Sequence, residues 1–414
     1  MDDLNFIQEH IGIEDDQTDD QIDSKYLPFN PRDLSMSTKL MSMDALVRRF
    51  RQNSLILAPG FQRKEVWNSV QKSRLIESLL LRIPIPMFYF SSDVKNNYTV
   101  IDGLQRLSAI RDYVVGRKLE DSSSPTIEGL LGESNESTKL NKLEGLEYLK
   151  DFEGKTVREL PIEFYNQLME TEFSVTIIEP KTPEEVKRNV FKRINTGGLP
   201  LSDQEIRNAL YTGLATELLQ ELVKTSSFVE ATGGGVHSLR ADDQEIVLRL
   251  LSFIVRTPEE YQEEAMNTWL AVTMQIINYP QEASKELKEL IDTGKVKLST
   301  IDGCNREDLV RKFNLGMIRS KRLFGEHAFR KSTFGKRSPI TKALFEMWGS
   351  LLSSMKESEF EALYANKHRM MGEYKALLDS PQFNLLIGKR SSTPASVKER
   401  FKIIRQLISK YTIP

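Results

Sequence analysis

Between residues 37 and 52, apolar side chains recur at helical spacing. Leu40, Met43, Leu46, Val47 and Phe50 fall on one side, and this predicts an amphipathic helix. Leu55–Leu57 is a short apolar strand candidate, stopped by Ala58-Pro59-Gly60. The helical period returns from Val70 to Arg82, with Leu75, Ile76, Leu79 and Leu80 inward and Pro84 as the stop. Ile85–Phe90 is a continuous apolar run and predicts a buried strand, after which residues 91–97 turn the chain. Tyr98–Ile101 predicts a second strand of β-branched and aromatic residues. Asp102 ends it, and Leu107, Ile110 and Val114 mark a helix behind it. Gln105, three residues on, would make Asp102 the N-cap of a capping box. Phe173–Ile178 predicts another strand, followed by a helix with Val186, Val190 and Ile194 inward. Ser202-Asp203-Gln204-Glu205 is a second capping box and opens a helix through Leu210.

From about residue 236 the pattern changes. Residues 242–256, 268–277, 283–293, 307–324, 340–355 and 394–410 all read as helices, with no strand between them. The expected class is α+β: a mixed N-terminal domain over 26–235 and an all-helical domain over 236–414, divided near Gly233-Gly234-Gly235. Residues 1–24 carry nine acids and no Lys or Arg, so residues 1–25 read as an acidic disordered tail. Residues 120–139, rich in Ser, Glu and Gly, read as a surface insertion.

Composition narrows the function. The single cysteine, Cys304, excludes an internal disulfide and a cysteine metal cluster, which suggests a reducing, cytoplasmic setting. No run is long and apolar enough for a membrane span. No Walker A pattern is present, so a P-loop enzyme is excluded. The four histidines, His10, His237, His327 and His368, form no pair of the kind a histidine-metal nuclease needs, and Asn366-Lys367-His368 reads as a solvated face.

Candidate chemistry gathers at Asp102-Gly103. A strand feeding a helix through such a turn presents backbone N–H groups where a phosphate binds. Gly103 would let a ligand approach the backbone, and Arg106 offers a fork of donors. A well-capped helix is the plainer reading of the same nonapeptide. Basic stretches lie elsewhere: residues 311–337 hold nine Lys/Arg against Glu326, and 389–410 hold seven against Glu399. Lys321, Arg322, Lys336 and Arg337 are therefore candidates for contact with a DNA backbone.

Several motifs in order carry a more specific signal. They are Phe61-Gln62-Arg63 with Trp67, Arg74-Leu75-Ile76-Glu77-Ser78, Ile83-Pro84-Ile85-Pro86, Val100-Ile101-Asp102-Gly103-Leu104-Gln105-Arg106-Leu107, and Phe191-Lys192-Arg193-Ile194-Asn195-Thr196-Gly197-Gly198 with Leu201-Ser202 and Glu205-Ile206-Arg207-Asn208. Together they resemble the DGQQR-motif domain of GmrSD-type modification-dependent restriction systems and related anti-phage proteins. Leu104 departs from the motif, standing where its first glutamine belongs. The resemblance implies a ParB/sulfiredoxin-like fold and an NTPase that controls attack on foreign or modified DNA. It implies that Gln62, Arg63, Gly103, Arg193, Asn195, Gly197 and Gly198 cradle a nucleoside triphosphate with Mg²⁺. Asp102, Gln105 and Arg106 would be catalytic, with Asp102 also on the metal. Members often carry an HNH nuclease domain, which the histidines here do not supply. The expected partners are therefore DNA and a separate effector or nuclease subunit. The alternative is a non-catalytic DNA-binding or adaptor protein that keeps the fold alone.

Overall fold

The edge of the N-terminal sheet is built by residues whose spacing predicted a helix. Met36–Ser42 is a strand, β1, and the helix α1 begins only at Met43 and runs to Arg51. Long-range pairing decides this. β1 lies antiparallel to β7, Glu172–Ile178, from Met36 opposite Ile178 to Ser42 opposite Glu172. The Thr38 and Thr176 hydroxyls meet at 3.0 Å across the pair. Ser42 then caps α1, its hydroxyl accepting from the Ala45 N–H at 3.3 Å. Leu40 stays 62% exposed, whereas Met43, Leu46, Val47 and Phe50 are buried as expected.

The computed structural model describes residues 13, 31–57, 67–118, 138–194, 202–234, 236, 240–262, 265–279, 285–388 and 391–412. The acidic tail apart from Ile13, and most of the 120–139 insertion, lie outside the described residues. The chain divides into two compact units, one of residues 27–201 with 208–210, the other of 1–26, 202–207 and 211–414.

In the first unit, β2 is Leu55–Ile56, α2 is Ser69–Leu80, β3 is Phe88–Ser92 and β4 is Tyr98–Asp102. The helix α3, Leu104–Ile110, continues into a π-helical turn, Arg111–Val115. The sheet order is β1-β7-β3-β4-β2. β2 runs parallel to β4, and β3 runs antiparallel to β4 and parallel to β7. Arg117–Lys118 (β5) and Thr138–Lys139 (β6) form a separate two-stranded ladder. α4, Ile162–Glu170, and α5, Glu184–Ile194, lie either side of β7 in the chain.

The strand expected at Ile85 starts at Phe88, because prolines at 84 and 86 cannot donate to a ladder. α2 matches its prediction: Leu75, Ile76, Leu79 and Leu80 are buried, and Asn68 with Gln71 forms its capping box. These side chains share a core with Phe88, Phe90, Val100, Leu107, Ile110, Phe173 and Val175.

In the second unit the predicted helices are found with small shifts. Ser202 caps α6, Asp203–Leu210, through the expected capping box. α7 is Leu214–Leu222, α8 is Ser226–Thr232 and α9 is Asp242–Val255. α10 is Met266–Asn278, α11 is Lys285–Asp292 and α12 is Leu298–Asp302. α13 is Arg306–Phe324 and α14 is Lys342–Ser354, the latter packed on both α13 and α9. α15 is Glu357–Ala365, α16 is Lys367–Asp379, α17 is Pro381–Ile387 and α18 is Pro394–Thr412.

Candidate nucleotide site at the β4–α3 junction

The described part of the site lies where β4 passes into α3. Asp102 is the last residue of β4 rather than a helix cap. The cap position belongs to Gly103, in the left-handed region at φ +95°, with no side-chain capping bond. The expected Asp102–Gln105 capping box does not form. The left-handed step at Gly103 moves the helix start one residue on, and the Asp102 carboxylate turns to Arg106 instead, at 3.0 Å.

Arg106 ties several motifs together. It donates to the Pro86 carbonyl and, at 3.3 Å, to that of Met87. Its guanidinium also lies over the Phe88 ring, 4.8 Å from the centroid. Burial lowers its pKa from the ordinary guanidinium value, and Asp102 opposes that shift. Its side chain is only 13% exposed, while that of Asp102 is 40% exposed. One carboxylate oxygen, Oδ2, takes the Arg106 bond, and Oδ1 has no hydrogen-bond partner among the described residues.

The structure also gives an internal reason for glycine at 103. A Cβ there would sit 2.3 Å from Cδ1 of Phe88 and 3.2 Å from Nη2 of Arg106. The sequence reading gave Gly103 to ligand approach; the space beside it is taken by the Phe88 ring. Leu104 packs against the core, as a leucine on the inner helix face should.

Topology brings the described ends of the segment between β2 and α2 towards this end of the sheet. β2 and β4 are parallel, so the chain leaves both strands in the same direction, at Leu57 from one and at Asp102-Gly103 from the other. The described chain resumes at Trp67, whose N–H lies 3.5 Å from Oε1 of Gln105. Gln62 and Arg63 themselves, with Asn195, Gly197 and Gly198, lie outside the described residues. Arg193 is exposed in the last turn of α5, which packs on β4.

Other motif residues prove to be scaffolding, and periodicity gave no sign of it. The Glu77 carboxylate, 3% exposed, accepts the N–H groups of Glu147, Tyr148 and Leu149 at 3.0, 2.7 and 2.8 Å. Burial alone would raise its pKa; those three N–H groups and Lys150 bring it below the usual carboxylate range. Arg207 is buried in the second unit, bonded to Gln204, Asn267 and Glu245 at 2.9, 2.7 and 3.2 Å. Burial pushes Glu245 upward, and Lys342, Arg249 and Arg207 together drive it far below the ordinary range.

The candidate DNA residues lie in the second unit, and Lys321, Arg322 and Arg337 already face carboxylates. Lys321 and Arg337 both approach Glu326, at 2.5 and 3.5 Å. Arg322 pairs with Glu361 at 2.9 Å and lies over the Phe360 and Tyr364 rings. Lys336 is exposed. Asn366 and Lys367 are half-buried rather than solvated. Asn366 donates to the carbonyls of Ala362 and Tyr411, and Lys367 to that of Arg322; His368 is exposed.

No curated protein and no solved structure matches the chain. No described helix is long and apolar enough to cross a membrane. A family description does match residues 44–212: GmrSD restriction endonuclease, N-terminal domain. That span contains every motif quoted from Phe61 to Asn208, so this part of the chain is similar to the N-terminal domain of GmrSD restriction endonucleases.

Proposed function

We propose that this chain is the NTP-binding and NTP-hydrolysing component of a restriction or defence system that acts on foreign or modified DNA. The observation that supports this most is the half-exposed Asp102 carboxylate, beside Arg106, at the end of β4, where Trp67 also approaches Gln105. Ligands of open α/β sheets settle beyond the strand ends in this way. A ParB/sulfiredoxin-like arrangement accords with the order of strand, helix, strand, turn, strand and helix from β2 to α3.

Phosphoryl transfer asks a protein mainly for positioning and charge. Arg106 and Arg193 supply charge, with Arg63 from the loop. Gln62, Asn195 and the backbone at Gly103, Gly197 and Gly198 supply donors to phosphate oxygens. Gln105 orients a water, and Asp102 accepts its proton or fixes the cation. Among the described residues, no three His, Cys, Asp or Glu side chains converge on a metal position. The open Asp102 carboxylate would be the protein's ligand to Mg²⁺, an ion that commonly takes only one or two carboxylates from a protein. When bound, the ion would supply charge neutralisation to the phosphates.

The adaptor reading draws on one fact: Arg106 is already engaged by two carbonyls and a carboxylate. Asp102→Asn separates the two. An NTP panel is assayed for turnover with and without modified DNA, alongside circular dichroism. Loss of turnover in a folded variant supports hydrolysis at this junction. Wild-type turnover in Asp102→Asn and Arg106→Lys would remove the junction from the chemistry, and absence of any turnover in the parent chain leaves the adaptor reading. A separate effector would then account for DNA cleavage, recruited by a state that nucleotide and DNA bind unequally.

A further inference from the structure

We infer that the outer face of α1, with the β3–β4 turn, is a second site, one that takes the phosphodiester backbone of a nucleic acid. It lies in the motif-bearing unit and uses none of the residues assigned above to nucleotide or to DNA. Arg48, Arg49, Gln52 and Ser54 line an open depression of about 320 Å³, closed on its other side by Lys95, Asn96 and Asn97. A neighbouring depression of about 290 Å³ shares Arg48 and Gln52 and adds Arg51, Val47, Asp44, Tyr165 and Met169. The two form one continuous basic strip rather than a closed pocket for a single anion.

The cations here are poised differently from those of the second unit. Arg48, Arg51 and Lys95 are exposed, and their side chains have no ion pair or hydrogen bond among the described residues. Two carboxylates lie close. Asp44 lines the second depression without pairing. Asp93 is occupied by its own turn, accepting from Lys95 N, Asn97 N and Asn97 Nδ2 at 2.8, 2.7 and 2.8 Å. Arg49 is held in place, its guanidinium 3.8 Å from the Tyr98 ring centroid and donating to the Asn96 carbonyl at 3.0 Å. Lys39 comes to the same ring from β1, its Nζ 2.8 Å from the Tyr98 hydroxyl. Asn96 reaches φ +63°, a left-handed step that Asn tolerates and that shapes the tip of the turn.

An extended row of unpaired cations suits a polyanion, because each contact releases counterions from the backbone. The amides of Gln52, Asn96 and Asn97 add donors for phosphate oxygens, and the Tyr165 ring offers a flat contact for sugar or base.

The test is fluorescence anisotropy of a labelled DNA duplex with the full chain, from about 50 to about 200 mM salt. The triple variant Arg48→Gln/Arg51→Gln/Lys95→Gln is compared with the parent and with Lys321→Gln/Arg322→Gln/Lys336→Gln. The substituted strip residues are exposed and unpaired, so its melting temperature should equal the parent's; the single Lys95→Glu is a second, smaller change. Binding weaker by about tenfold or more, with a log–log salt slope shallower by about 2.7 in the strip variant, supports the inference, taking about 0.9 per lost phosphate contact. Unchanged affinity and slope overturn it. So does a strip whose substitution affects only inorganic phosphate or free ATP. NTP turnover is read in parallel. A parent that binds DNA but hydrolyses nothing sinks the nucleotide reading and leaves this one standing.

Discussion

Gly103→Ala probes the β4–α3 junction most directly, because two separate penalties meet there. Placing an L residue in the left-handed region costs roughly 1–2 kcal/mol. The added Cβ would then fall 2.3 and 2.8 Å from two atoms of the Phe88 ring, which is fully buried and edge-on to Phe173 at 5.5 Å. That ring cannot step aside freely, and overpacking of this kind typically costs about 1–3 kcal/mol. The total is about 2–5 kcal/mol. Gly154→Ala is the built-in control, since its φ is +77° but nothing lies within 4 Å of the added Cβ. It should lose only the backbone part, about 1–2 kcal/mol. Denaturant midpoints of the two variants, and of Gly103→Ala combined with Phe88→Leu, separate the contributions. The double variant should recover part of the overpacking loss and none of the backbone loss. NTP binding should fall in Gly103→Ala as well, because Arg106 Nη2 is 3.2 Å from the new atom. Equal destabilisation by Gly103→Ala and Gly154→Ala would refute the clash. A change below about 0.5 kcal/mol in both would refute the left-handed argument.

Glu77→Gln should destabilise the first unit by about 2–4 kcal/mol, since hydrogen bonds to a charged acceptor are worth about 1.5–3 each, measured by chemical denaturation at neutral pH. The Glu77 pKa is depressed in the folded chain, so its contribution is complete above the ordinary carboxylate value of about 4.3 and is lost as pH falls through the lower folded value. The parent should show this acid limb and the variant should lack it. In the second unit, Glu346 is fully buried and accepts from Arg249 at 3.4 Å and from Arg400, itself fully buried. Glu346→Ala should therefore cost about 3–5 kcal/mol by stranding a buried guanidinium, read as a lowered melting transition.

The sequence was most legible where local chemistry and tertiary packing agree. α2 has a capping box at Asn68 and Gln71 and a stop near Pro84, and its apolar side is its buried side. It was least legible where a distant partner decides. Leu40 fits a helical stripe with Leu46 and Val47, but pairing of residues 36–42 with β7, far along the chain, makes that segment a strand. Asp102 and Gln105 have capping-box spacing, yet Asp102 and Arg106 are also one helical turn apart, and a left-handed Gly103 favours the second pairing. Similarly, nothing in the pattern around Glu346 announces Arg400, 54 residues on.

The motifs themselves divide into two physical kinds, and the division bears on what a variant can mean. Pro86, Asp102, Gly103, Gln105 and Arg106 meet at one junction, where half of a carboxylate remains open. Glu77 and Arg207 are closed: each is buried and bonded to other segments, residues 147–149 in one case and Asn267 and Glu245 in the other. Loss of activity at Glu77 or Arg207 is thus expected to travel with loss of stability. At Asp102 it is not, because removing a 40% exposed carboxylate leaves Arg106 bonded to the carbonyls of Pro86 and Met87. A plot of activity against melting temperature across these positions would place Asp102 off the line through the other two. If it fell on that line, the junction would be scaffold like the rest, and the chemistry would have to be sought at Gln62, Arg63, Asn195, Gly197 and Gly198.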